Sequence, residues 1–120
     1  MDVGVVLPAY RPDTDRLITY ATALCERVDP AAVRVELDAA DPDTRRELDD
    51  LPDRVLVVDA DRRRGKGAAV TAGFEALDTE ILVFADADGS TPVRSLAQVI
   101  APVQRGEATL AAGSRRHPEA

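Results

Sequence analysis

Ile81-Leu82-Val83-Phe84 runs without a break into Ala85-Asp86-Ala87-Asp88-Gly89-Ser90-Thr91-Pro92. Four apolar, strand-forming residues therefore deliver two carboxylates, one residue apart, just past the C-terminal end of a buried strand. In an open α/β sheet that end is where ligands bind. Carboxylate oxygens there suit Mg²⁺ or Mn²⁺, which commonly takes one or two protein carboxylates and completes its shell with substrate phosphates. The same letters also spell a turn and a helix cap, since Asp, Gly and Ser are turn formers. The rest of the chain weighs toward the first reading.

Outward from that stretch, strand and helix signals alternate. Val3–Leu7 is a short β-branched run that Pro8 is expected to end. Asp13-Thr14-Asp15 then offers capping residues before Leu17, Ile18, Ala21, Leu24, Cys25 and Val28, which recur at helical spacing. Asp29-Pro30 stops that helix, and Val33–Leu37 reads as a second strand. Asp41-Pro42-Asp43-Thr44 opens a short charged helix ending near Leu51-Pro52. Val55–Val58 reads as a third strand. Gly65–Gly67 leads into a helix with Val70, Phe74 and Leu77 on one face. After the fourth strand, Thr91-Pro92 puts a proline at the start of a helix carrying Val93, Leu96, Ala97, Ile100 and Val103. Thr109–Ala112 is a weaker fifth strand. The alternation predicts an α/β domain with a largely parallel sheet and right-handed crossovers.

The composition narrows the function. The 120 residues fit one domain, and a 45% hydrophobic fraction supports an ordinary core. No apolar run approaches the roughly 18 residues needed to span a membrane. Asp2 and an immediate strand stand where a secretory signal would be charged and then apolar, so a cytoplasmic location is expected. The net charge is −7, and Lys66 is the single lysine. That acidic balance argues against nonspecific nucleic-acid binding, and it resembles the composition of proteins from salt-loving organisms. The lone Cys25 excludes an internal disulfide and falls on an apolar helix face, where it reads as core. Gly65-Lys66-Gly67 is not a P-loop, because position 67 lacks the required Ser or Thr. His117 is the only histidine, which excludes a histidine-rich metal site.

In a parallel sheet every strand's C-terminal end lies on one edge. Pro8-Ala9-Tyr10, Asp38, Asp59 to Lys66, Asp86 to Ser90 and Gly113 to Arg115 all fall there, which sets aromatic, acidic and basic groups around one crevice. These motifs resemble the N-terminal, nucleotide-binding half of a family 2 glycosyltransferase with the GT-A fold. Val5-Val6-Leu7-Pro8-Ala9-Tyr10 resembles the family's first strand and its Pro-x-Tyr turn. Arg64-Gly65-Lys66-Gly67-Ala68-Ala69, followed by Ala72-Gly73, resembles the start of its third helix. Phe84-Ala85-Asp86-Ala87-Asp88-Gly89 resembles its Asp-x-Asp motif, and Gly113-Ser114-Arg115 a downstream nucleotide-contacting element. The combination is most similar to the branch that makes dolichyl-phosphate glucose or mannose.

The resemblance implies a Rossmann-like parallel sheet in the order 3-2-1-4, with helices on both faces. It implies a nucleotide-sugar donor, UDP- or GDP-linked, and Mg²⁺ or Mn²⁺. Pro8 and Tyr10 would flank the nucleobase, Tyr10 by stacking. Asp38 would contact the base or ribose. Lys66 would lie near the nucleotide and Arg115 near the diphosphate or sugar. Asp86 and Asp88 would face the ribose and the metal, Asp88 being the stronger ligand. The sequence departs from the family in three places. Leu37-Asp38 replaces a pair of acids after strand two, Pro12 replaces an acid two residues past the tyrosine, and Ser90 stands where some members place a metal-supporting residue.

The family's acceptor-binding half lies beyond the Asp-x-Asp motif. Residues 1–120 are therefore expected to be a single nucleotide-sugar-binding unit of a longer enzyme, peripheral at the cytoplasmic membrane face. Alone they are expected to self-associate and to transfer no sugar. The complete enzyme would perform an inverting displacement at the anomeric carbon, possible acceptors including polyprenyl (dolichyl) phosphate. Its catalytic residues are not assigned. Three other readings use the same letters. Asp86-Ala87-Asp88-Gly89-Ser90 resembles the nucleophile motif of haloacid-dehalogenase-like phosphatases, but that motif opens its fold and needs a later lysine. Leu110 to Arg115 echoes the glycine-rich loop of sugar nucleotidyltransferases, which belongs after strand one. A noncatalytic module that holds a nucleotide or self-associates is the third.

Overall fold

The computed structural model describes residues 2–104. Within them strands and helices alternate as β1 Val3–Tyr10, α1 Thr14–Val28, β2 Ala32–Asp38, α2 Pro42–Glu47 with a 3₁₀ turn Leu48–Asp50, β3 Val55–Ala60, α3 Lys66–Ala76, β4 Ile81–Phe84 and α4 Val93–Gln104. All strand pairs are parallel, and the order is β3-β2-β1-β4, as the family resemblance implied. The expected fifth strand Thr109–Ala112, with Gly113, Arg115 and His117, lies outside the described residues.

Strand alternation divides the sheet into two unlike faces. Side chains of Val3, Val5 and Leu7 of β1 lie beside those of Val33 and Val35 of β2 and Ile81 and Val83 of β4, all in one buried core. Leu17, Ala21 and Leu24 of α1 and Leu96, Ile100 and Val103 of α4 close over that face. Each fully buried Val or Leu contributes about 1.5–3 kcal/mol relative to an exposed one, so this layer dominates the stability. The opposite face carries Val6, Pro8 and Tyr10 beside Arg34, Glu36 and Asp38, and α3 packs on its β1 and β2 strands.

One sequence-based expectation changes here. Pro8 does not end β1, which continues to Tyr10. Val6 turns its carbonyl toward β4, where it accepts from the Ala85 amide at 3.1 Å. Pro8, two residues on, faces the same way, past the last residue of β4, so its missing N–H leaves no ladder bond unmade. On α3, Val70, Phe74 and Leu77 lie half-buried on the packed side, Phe74 against the Phe84 ring, and Ala69 and Gly73 between them are fully buried. A Cβ at Gly73 would stand 2.6 Å from Val6 Cγ2 and 2.7 Å from Val6 Cγ1, so only glycine allows this approach. The close fit carries the first turn of α3 to the sheet's C-terminal edge.

The helix starts follow the capping residues. Asp13 accepts from the Arg16 amide at 3.2 Å to open α1, and Asp41 accepts from the Thr44 amide at 2.8 Å to open α2. α2 is shorter than its charge pattern suggested, because the chain tightens into the 3₁₀ turn that drops Leu48 into the core.

Candidate functional site

The ends of β1, β2 and β4 and the start of α3 enclose one cleft. One part of about 220 Å³ lies between Pro8–Asp13 and Asp86–Asp88. A second part of about 140 Å³ reaches Asp38, Arg63, Gly65 and Lys66. Pro8, Ala9, Tyr10 and Asp86 wall both. The structure thus brings together Pro8, Tyr10, Asp38, Lys66, Asp86 and Asp88. Arg115 lies outside the described residues.

Asp38 is buried at 4% exposure, and its carboxylate organises the β3–α3 loop. Oδ2 accepts from the Arg64 and Gly65 amides at 2.7 and 2.9 Å, and Oδ1 accepts from Arg64 Nε at 2.7 Å. Arg64 Nη1 also donates to Glu36 at 3.1 Å, and Arg34 Nε donates to Glu36 at 2.8 Å from the other side. Burial pushes the Asp38 carboxyl up, but the bonds from Arg64 and the two amides outweigh it, and the group sits below its usual range. A carboxylate has about four lone-pair sites. Three are used, which leaves one for a ligand donor. Arg64 was not singled out for a role from the sequence. Its signal was position: an arginine directly before Gly65 and two residues ahead of Lys66.

Gly65 has φ +95°, a conformation glycine adopts without strain, and no side chain caps α3 at this residue. The helix therefore offers its N-terminal amides and its positive dipole end to the edge that carries the cleft. Lys66, its first residue, places Nζ 2.8 Å from Asp86 Oδ1 and 5.3 Å from the Phe84 ring centroid. Tyr10 is 39% exposed, and Arg63 lies over its ring at 4.2 Å from the centroid. Arg63 thus joins the wall beside Tyr10, a contact that sequence spacing gave no means to foresee.

The residues after β1 and β2 turn sharply. Arg11 and Ala39 have φ +50° and +51°, each costing about 1 kcal/mol for a residue with a Cβ. Such strain often clusters at ligand sites.

Past β4, the Ser90 amide donates to Asp88 Oδ1 at 2.9 Å, a turn that leaves Asp88 exposed at the cleft. Both the turn and the ligand readings of this motif are therefore compatible. Among the described residues no three His, Cys, Asp or Glu side chains cluster closely enough to hold a metal by themselves. A pair of carboxylates fits a hard cation that draws its other ligands from phosphate and water. Among the described residues two buried hydroxyls flank the same loop without a hydrogen-bond partner, Tyr20 Oη on α1 and Thr91 Oγ1 before α4. An unpaired buried polar group costs about 1–3 kcal/mol. Burial, then the charges of Asp86 and Asp88, push the Tyr20 phenol up to about 12. Tyr20 also went unremarked in the sequence, although the spacing Leu17, Tyr20, Ala21, Leu24 sets it on the inward face of α1.

Residues 5–120 match the family described as glycosyl transferase family 2. Glycosyltransferase AglD of Haloferax volcanii is 33% identical over 99% of this chain and 20% of its own length. An undecaprenyl-phosphate 4-deoxy-4-formamido-L-arabinose transferase of Salmonella dublin is 26% identical over 87% of the chain and 34% of its own length. The enzyme of that name from Pseudomonas syringae is 26% identical over 87% and 33%. The chain thus spans about a fifth to a third of these relatives. No helix among the described residues is long and apolar enough to cross a membrane. On this match, with the sheet order and the clustered cleft residues, the chain belongs to glycosyl transferase family 2.

Proposed function

We propose that this chain holds the nucleotide part of a nucleotide-sugar donor, together with Mg²⁺ or Mn²⁺, for transfer of the sugar to a lipid-phosphate acceptor. The observation that carries this reading is the convergence of Tyr10, Asp38, Lys66, Asp86 and Asp88 on one cleft from three strand ends and a helix start. The acceptor class is supported by the names of the undecaprenyl-phosphate relatives.

Tyr10, 39% exposed, and Pro8 flank the base, with Arg63 and Arg11 beside the Tyr10 ring. The remaining acceptor position of Asp38 takes an N–H or O–H from base or ribose. Lys66, half-exposed and paired with Asp86, is the cation that meets the diphosphate. Asp88, with Asp86, holds the metal, which when bound neutralises charge on the leaving diphosphate. The acceptor must also be held in line with the donor, since positioning supplies much of the rate. The 120 residues by themselves therefore bind donor without turning it over.

Calorimetric titration with UDP and with GDP, each with and without Mn²⁺, tests this. Wild-type chain should bind one nucleotide weakly, and more tightly with metal. Asp88→Ala should abolish the metal enhancement and leave circular dichroism unchanged. Binding that ignores both metal and Asp88→Ala would refute the metal assignment.

A further inference from the structure

We propose that Tyr20 is a positioning residue for the Asp86–Asp88 loop, its buried phenolic O–H donating to one of these carboxylates when the loop takes up a cation and nucleotide. This rests on the cation-site reading above. The argument begins with an imbalance. Both buried hydroxyls that lack a partner among the described residues, Tyr20 Oη and Thr91 Oγ1, belong to residues bracketing one loop. Buried polar groups are otherwise nearly always paired, so two orphans at one place call for an explanation.

Tyr20 is 7% exposed, in the core layer beneath α1. A Cβ on Gly89 would lie 3.9 Å from its Cδ1, so the ring packs directly under the turn that carries Asp88. The same ring, with Asp88, Gly89 and Val93, walls a cavity of about 360 Å³ on the α1 side of the loop. A phenol O–H can donate one bond, and a carboxylate accepts it. Metal-ligating carboxylates are usually held by such outer hydrogen bonds, which fix the direction of the ligand oxygens. A tyrosine phenol has an ordinary pKa of about 10, so it is protonated and a donor at neutral pH.

Tyr20→Phe removes one oxygen and keeps the ring. The test titrates wild type and Tyr20→Phe with the nucleotide that wild type binds, UDP or GDP, with and without Mn²⁺, and records thermal unfolding of each without ligand. The expected result is a fall of about tenfold in Mn²⁺-dependent nucleotide affinity, with metal-free affinity unchanged and the melting temperature equal or higher. A merely structural hydroxyl would give the reverse, a lower melting temperature with the Mn²⁺ enhancement intact, and that result overturns the proposal. Equal Mn²⁺ enhancement in the two proteins also overturns it. Absence of Mn²⁺ enhancement in wild type overturns the cation-site reading and this inference with it, so the two failures are distinguished by the wild-type titration.

Discussion

Asp38 fixes the Arg64-Gly65 backbone that launches α3, and it lines the cleft. Its proton affinity in the folded chain is below the ordinary value of 3.8. Its stabilising contribution is therefore complete above that value and is lost as pH falls through the depressed one. Asp38→Asn should lower the unfolding free energy at neutral pH by about 1–3 kcal/mol, the usual worth of hydrogen bonds to a charged group. The difference between variant and wild type should vanish in acid, as measured by urea unfolding across pH. At this scale the sequence told which residue types reach the edge, because strand direction and motif order determine that. Pro8, Tyr10, Asp38, Lys66, Asp86 and Asp88 were legible for this reason. The Arg64 bonds and the Tyr20 hydroxyl were not, because they depend on how far α3 and α1 approach the sheet, which periodicity does not encode.

Among the elements, α3 is where packing and site meet. Its contact residues are small, so its backbone rides low on β1 and its first turn arrives at the cleft. Gly73→Ala would add a Cβ against both Val6 methyl groups. Helix propensity gains about 1 kcal/mol from that change, while overpacking a well-filled contact costs about 1–3 kcal/mol. A net loss of stability is expected in urea titration, with weaker nucleotide binding because Lys66 is lifted from the edge. Unchanged stability would mean that α3 is loosely seated. The apolar spacing of Val70, Phe74 and Leu77 pointed to a helix here and to its packed side, but not to Ala69 and Gly73, the small residues on that side that make the closest contact. Hydrophobicity marks what prefers burial, whereas the closest contact is set by what can be made smallest. Strand existence was legible everywhere in the described residues, while strand ends were not, as β1 running through Pro8 shows.

At the scale of the sheet, β3 is an edge strand among the described residues, and Leu56 on it is 55% exposed. An edge strand with an exposed apolar residue invites pairing with another copy. The 120-residue chain should show concentration-dependent association by light scattering, and Leu56→Lys should shift it toward monomer. Equal behaviour of the two proteins would place any association elsewhere. The two unlike faces of the sheet carry one more consequence, for misfolding. In β2 the apolar side chains Val33, Val35 and Leu37 alternate with Arg34, Glu36 and Asp38. Sliding β2 by one residue against β1 would turn all three charged groups into the α1–α4 layer and all three apolar ones out of it. That layer is apolar among the described residues apart from Tyr20 and Cys25, and stranding a buried charge there costs several kcal/mol. The polar face at the cleft thus acts as a proofreading key during assembly, rejecting the misaligned sheet before any donor is met.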